Sequence, residues 1–272
     1  MTSQLPYAEV IGDPIKHSKS PVIHEFWLGK TGIAGTYRCS RVGTSELEAY
    51  LAARRHDPLW RGCNVTMPLK SAALQFADKT IAPADQAAAI NLLRPTGEGL
   101  VADNKDVGAI VRVVEALTGG RRPASVTVLG TGGAARAALV ALTSIGVRDV
   151  VVQARNTPAA AKLAEQFALG LSVQRFGEAI TTEGLINATP LGMVGAPKQR
   201  VDLRGMPEAG WVFDLVSVPD PTSLIREARE QRLRAEGGLS MLVEQAATSF
   251  SAFFNAEAPR EHDAELMRLL NA

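Results

Sequence analysis

The stretch SVTVLGTGGAARAALVAL, residues 125–142, decides the fold. Its first five residues form a short run rich in β-branched side chains, the pattern of a buried strand. Gly130, Thr131, Gly132 and Gly133 follow, and then an alanine-rich run of helical character to Leu142. A glycine at a strand end permits a tight turn, and the next one lets the backbone approach a bound group. The helix start offers unpaired N–H groups and the positive end of the dipole, which together hold an anion. The match to Gly-x-Gly-x-x-Gly is imperfect, because Gly130-x-Gly132 is followed by Gly133 and Ala135. A plain strand-to-helix turn is the simpler alternative. With strand before and helix after, the segment reads as a dinucleotide loop placing Gly130, Thr131, Gly132, Gly133 and Ala134 at the pyrophosphate.

The next strand carries the choice of dinucleotide. Sites for NAD usually place an acidic residue at its end to hold the ribose hydroxyls. DVVVQARNT, residues 149–157, puts Asp149 before the strand and Arg155 after it. A guanidinium suits a 2′-phosphate by charge and by its forked donors, so NADP is expected, with NAD as the alternative.

Outward from this loop, short apolar runs alternate with helical patterns. Strands are expected at 7–12, 36–42, 62–66 and 90–95, and helices at 21–32 and 44–56, the latter capped by Thr44 or Ser45. Beyond the loop come the strand-like DVVVQA, the helix-like PAAAKLAEQFA, then LSVQRF, EGLIN and WVFDLV, and a long amphipathic helix from SMLVEQAATSFSAFF. This rhythm predicts an α/β fold with mainly parallel sheets and helices on both faces. The 272 residues exceed the usual size of one core, and GGRRP at 119–123 marks a break, so two domains are expected. The first, 1–105, is a mostly parallel α/β domain, and 106–239 is a Rossmann-like, doubly wound domain.

Composition excludes several classes. Lys plus Arg is 29 against 28 Asp plus Glu, a net charge of +1 that would steer neither nucleic acid nor an anionic membrane. No apolar run approaches the roughly 18 residues needed to span a bilayer. MTSQLPYAEV lacks the basic start and apolar run of a secretory signal, which points to a cytoplasmic protein. Cys39 and Cys63 have no metal-ligand spacing and the four histidines do not cluster with them, so reduced thiols and no metal are expected.

GCNVTMPLK, residues 62–70, ends a strand at a proline and delivers Thr66 and Lys70 to a sheet edge, where ligands collect. Taken alone, Lys70 would be a solvated lysine. In HSKSP, residues 17–21, Ser20 before Pro21 has the form of a helix cap, a location shared by capping and anion binding. Ser18 lacks that structural reason and is the more diagnostic of the two.

Seven segments together resemble the shikimate dehydrogenase family: HSKSP, GCNVTMPLK, AIN at 89–91, DNKD at 103–106, GTGGAARA at 130–137, INATPLGM at 186–193 and GGLSMLVEQAA at 237–247. They keep the family's order and span nearly the whole chain. The resemblance implies reversible reduction of 3-dehydroshikimate to shikimate with NADPH, in aromatic amino acid biosynthesis. It implies Lys70 and Asp106 as the acid–base pair, chemistry that suits an alkoxide needing a proton. It implies Ser18 and Ser20 at the substrate carboxylate, and Thr66, Asn91, Asp106 and Gln245 at the ring hydroxyls. Asn187, Thr189 and Met241 are implied beside the cofactor. The first domain would hold substrate, the second NADP, and residues 240–272 would return to the first. The partner is a small molecule, and the assembly a monomer or homodimer.

Three positions depart from the family pattern. Lys105 stands where threonine is usual, and inside the cleft it would favour a charged Asp106 and attract an anionic substrate, whereas pointing outward it would be ordinary surface. Ser217 in FDLVSVP replaces a tyrosine at the substrate carboxylate, with Lys105 or a water as the compensating contact. Ala159 replaces a second arginine of the NADP loop. These changes keep alive a related dehydrogenase of quinate or another cyclic hydroxy acid, using NAD. A nucleotide-sensing regulator without catalysis is the alternative of another class, and Lys70 with Asp106 weighs against it.

Overall fold

The computed structural model describes residues 5–167 and 170–271, so the MTSQ start and Ala168 of the expected PAAAKLAEQFA helix lie outside the described residues. The chain divides into two compact units, one made of Met1–Lys105 with Val243–Ala272 and the other of Asp106–Leu242. Passage between them occurs at 105/106 and at 242/243.

The first unit opens with β1 (Tyr7–Gly12), α1 (Ser20–Thr31), β2 (Thr36–Arg41), α2 (Leu47–Arg55) and β3 (Trp60–Val65). The short β4 (Lys79–Thr80), α3 (Ala84–Ala87), β5 (Leu92–Thr96) and β6 (Gly99–Asp103) complete its first stretch. Its sheet runs β2-β1-β3-β5-β6-β4. The pairs β1–β2, β1–β3 and β4–β6 are parallel, while β5 is antiparallel to both β3 and β6. Strand β1 is buried along its whole length, as a central strand covered on both faces must be. Ile11, Leu47, Leu51, Trp60 and Leu69 fill one layer of the core, and Val10, Tyr37, Leu92 and Phe253 fill another. Glu9 of β1 is fully buried, and its carboxylate accepts from Ser40, Tyr50, Arg54 and the Trp60 indole. A buried charge survives only when so completely paired.

Two local expectations change. Helix α2 starts at Leu47, and neither Thr44 nor Ser45 caps it; the Glu46 carboxylate instead accepts from Gly43 N–H at 2.7 Å and closes the preceding turn. The strand expected at 90–95 begins only at Leu92, because Ile90 N–H donates to the Lys70 carbonyl at 2.8 Å and stays outside the ladder.

The second unit takes all of α4 (Lys105–Thr118) but its first residue. It continues through β7 (Ser125–Leu129), α5 (Gly133–Ser144), β8 (Asp149–Ala154), α6 (Thr157–Ala164) and β9 (Gly170–Arg175). Next come β10 (Gly184–Asn187), β11 (Trp211–Asp214), α7 (Ser223–Glu230) and β12 (Arg234–Glu236). All five strand pairs are parallel and the order is β9-β8-β7-β10-β11-β12. That is the doubly wound order, with its switch point between β7 and β10. The α/β fold expected from the sequence is therefore the fold observed. Helix α8 (Gly238–Phe254) begins in this unit and ends in the first, followed there by α9 (Asp263–Leu270).

Candidate active site

In the first unit the topology gathers separated segments at one sheet edge. The parallel strands β1 and β3 both end there. Because β5 is antiparallel to β3, its beginning lies at the same edge, and so does the end of β6, where Leu92 pairs with Asp103. This is the end of a parallel sheet at which ligands collect.

The segment after β3 is a tight, fixed turn. Thr66 N–H donates to the Ile11 carbonyl at 3.0 Å and Leu69 N–H to the Thr66 carbonyl at 2.9 Å, while Leu69 is fully buried. The half-buried Lys70 follows with its carbonyl held by Ile90. Gly12 makes this arrangement possible. A Cβ there would sit 2.5 Å from Thr66 Cγ2 and 2.7 Å from the Met67 carbonyl oxygen.

The loop after β1 reverses the expectation for its two serines. Helix α1 has no side-chain cap from Ser20; it is Ser18 Oγ that accepts the Ser20 N–H at 3.3 Å. Ser18 thus has a structural engagement of its own, and Ser20, the first residue of α1, is buried as a residue.

Asn91 is 3% exposed and is gripped on all sides. Its N–H donates to the Asp103 carbonyl at 3.1 Å, its carbonyl accepts Val65 N–H at 2.9 Å, and its Oδ1 accepts Lys105 N–H at 2.6 Å. Its Nδ2 donates to Gln245 Oε1 at 3.3 Å, which joins the two amides expected at ring hydroxyls. The Lys105 ammonium pairs with the Asp103 carboxylate. Lys105 therefore neutralises a neighbour on β6, and the compensating role expected for it at a substrate carboxylate is not its observed engagement.

In the second unit, Asp106 is buried in the first turn of α4. The glycine loop meets the segment after β10 at the switch point. Gly130 has φ +104°, a conformation that side chains rarely adopt, and a Cβ there would lie 3.1 Å from Thr189 Cγ2 and 3.2 Å from the Ala188 carbonyl oxygen. Ala188 N–H donates to the Leu129 carbonyl at 3.0 Å. Gly132 caps α5 in extended conformation, and a Cβ there would meet nothing within 4 Å. Arg155 is exposed at the end of β8, and Asn156 caps α6 by accepting Ala159 N–H at 3.1 Å. Open space over a helix N-terminus, with an arginine at the neighbouring strand end, fits the phosphates of an NADP molecule.

Asn187 is spent on the loop itself. Its Oδ1 accepts Thr189 N–H at 3.1 Å and Thr189 Oγ1 at 2.7 Å, and its Nδ2 donates to the Leu191 carbonyl and to Asp214 Oδ1 at 2.8 Å. The buried Asp214 also accepts from Thr222 and from Val216 N–H, and burial raises its pKa. Asn187 thus shapes the turn that brings Thr189 to Gly130. Ser217 is half-buried and Met241 is buried. Among the described residues no group of three His, Cys, Asp or Glu side chains could hold a metal, and no helix is long and apolar enough to cross a membrane.

The chain is similar to known proteins along nearly its whole length. Residues 10–93 match the family model described as the shikimate dehydrogenase substrate binding domain. A protein of Sphingopyxis alaskensis named shikimate dehydrogenase (NADP(+)) is 40% identical over 269 residues, covering 98% of this chain and 97% of that one. Among solved structures, shikimate 5-dehydrogenase of Thermus thermophilus in complex with NADP(H) and shikimate is 32% identical with a TM-score of 0.84, covering 98% and 100% of the two chains. Quinate dehydrogenase of Corynebacterium glutamicum in complex with NAD is 26% identical with a TM-score of 0.85, covering 97% and 99%.

Proposed function

We propose, because the chain belongs to the shikimate dehydrogenase family, that it interconverts shikimate and 3-dehydroshikimate with NADP. The observation that carries this reading is the sheet edge itself, where Thr66, Lys70 and the Asn91–Gln245 pair come together from segments far apart in the chain. Bound NADPH would supply the hydride for the ring ketone. Lys70 gives the proton to the developing alkoxide and Asp106 holds the ammonium, the two working as an acid–base pair. Ser18 and Ser20 bind the carboxylate, and Thr66, Asn91 and Gln245 bind the ring hydroxyls, so an analogue lacking one hydroxyl leaves a polar group unpaired. The loop Gly130–Ala134 holds the pyrophosphate and Arg155 the 2′-phosphate, with Thr189 and Met241 along the remainder of the cofactor. On this reading the protein is a cytoplasmic enzyme, monomeric or homodimeric.

The test is turnover of the purified protein with shikimate or quinate, each with NADP or NAD, followed by nicotinamide absorbance. Preference for shikimate with NADP is expected. Turnover with quinate and NAD alone would reassign the enzyme to the quinate branch, which Ser217 in place of a tyrosine makes the relevant competitor. Absence of turnover with any pair would end the reading.

Gly12 offers a second check on the same edge. Gly12→Ala must displace the Thr66–Lys70 turn, and a shift of about 1 Å at a reacting group costs on the order of 10- to 100-fold in kcat/KM. Steady-state kinetics well below the thermal midpoint measure it, and an unchanged kcat/KM would show that the turn does not set the position of Lys70.

A further inference from the structure

We infer that Asn64, which lies one layer beneath this edge, is a positioning residue that sets the Asn91–Gln245 pair and thereby the enzyme's discrimination among ring acids. The inference rests on the proposed activity for its kinetic expression, but its structural content stands apart from it. Asn64 is 5% exposed and uses every hydrogen-bonding capacity of its amide nitrogen. One N–H reaches the Asn91 carbonyl at 3.1 Å and the other reaches Ser249 Oγ at 2.9 Å. Its Oδ1 accepts from the Tyr37 hydroxyl at 2.7 Å.

Each arm holds one of the substrate-facing amides. The first fixes the backbone of Asn91, which Val65 N–H holds from the same side at 2.9 Å. The second fixes α8: Ser249 is fully buried and donates onward to the Gln245 carbonyl at 2.9 Å, one helical turn earlier. Gln245 and Asn91 are then joined directly through their side chains. Tyr37 locks the rotamer of Asn64 from β2. The result is a closed ring of buried bonds linking β3, the start of β5 and α8. Such a network is worth more than its separate bonds, because losing one member leaves the others buried without partners.

Asn64→Leu removes all three bonds at similar volume, and Ser249→Ala removes only the arm to α8. For Asn64→Leu we expect KM for shikimate to rise about tenfold, with KM for NADP within about twofold of the parent, as loss of one to two buried hydrogen bonds implies. Ser249→Ala should show a smaller rise of the same kind and is the variant to rely on if Asn64→Leu does not fold. The decisive comparison is a double-mutant cycle with Gln245→Ala. If Asn64 acts through the pair, its effect on KM shrinks in that background; a merely structural residue would give additive effects. An unchanged KM for shikimate, or additivity, overturns the inference. Should the wild-type protein not oxidise shikimate, the activity reading fails by itself. The side-chain amide NMR signals of Asn91 and Gln245 then decide the matter: movement of both on Ser249→Ala supports the network, and no movement refutes it.

Discussion

Lys70→Ala should lower kcat for shikimate oxidation by about 100- to 10,000-fold, the usual contribution of a positioned acid–base group. The affinity for NADP, measured by titration without substrate, should stay at the parental value, because on the proposed reading Lys70 acts on the substrate while the glycine loop and Arg155 hold the nucleotide. Asp106→Asn should produce a loss of comparable order, since on the proposed reading it removes the carboxylate charge of the acid–base pair without changing side-chain volume. Lys70→Arg distinguishes two contributions. A guanidinium keeps the positive charge but does not give up its proton near neutral pH. If proton transfer matters, arginine will not restore the rate; full restoration would mean that Lys70 supplies charge alone. Full activity in either Lys70→Ala or Asp106→Asn would end the assignment of the pair.

Acid should destabilise the first unit through His24. The ring is completely buried in α1, stacked on Tyr37 with centroids 4.0 Å apart and edge-on to Trp27 at 5.9 Å. Neither ring nitrogen meets a hydrogen-bond partner among the described residues. Burial therefore favours the neutral ring and lowers its pKa from 6.5 to about 3. In the unfolded chain the same imidazole takes up a proton near pH 6.5. Above that value both states are neutral and the group has no effect. As pH falls below it, the unfolded state binds more protons than the folded one, and stability drops by up to about 1.4 kcal/mol per pH unit until the folded ring also titrates near pH 3. His24→Leu keeps the volume and removes the proton site, so its stability should decline less steeply over that window. Urea unfolding at pH 7, 6 and 5, followed by tryptophan fluorescence, gives the comparison. Parallel pH dependences for the two proteins would refute it.

The glycine loop and the second sheet were legible because their signals are local. An apolar strand, a turn requiring Gly130 at positive φ and an alanine-rich helix are contiguous in residues 125–142. The first sheet was less so. Strand β6 and its hairpin with β5 went unread although Leu92-Leu93 and Leu100-Val101 flank a Gly97-Glu98-Gly99 turn, a recognisable hairpin signal. β4 and β12, of two and three residues, are too short to leave a periodic trace. The helix caps misled because a hydroxyl before a helix is only a candidate. Glu46 closes the turn before α2, where neither Thr44 nor Ser45 caps, and α1 has no side-chain cap, Ser20 instead donating its own N–H to Ser18 Oγ. The engagement of Lys105 with Asp103 depends on where a strand end and a helix start place two side chains, which no spacing encodes. Lys70, Asn91 and Gln245 could be associated only through resemblance, since the contacts that gather them span up to 154 positions of sequence.

The division of the chain has a bearing on its synthesis. Residues 106–242 form one unbroken unit, whereas the first unit joins Met1–Lys105 to Val243–Ala272, including Phe250 and Phe253 of its interior. Domains usually settle in the order in which the ribosome delivers them. Here the order is inverted: the first sheet must wait, with an incomplete interior, until the segment from Val243 onward has left the exit tunnel, and residues 106–242 are free to fold before it.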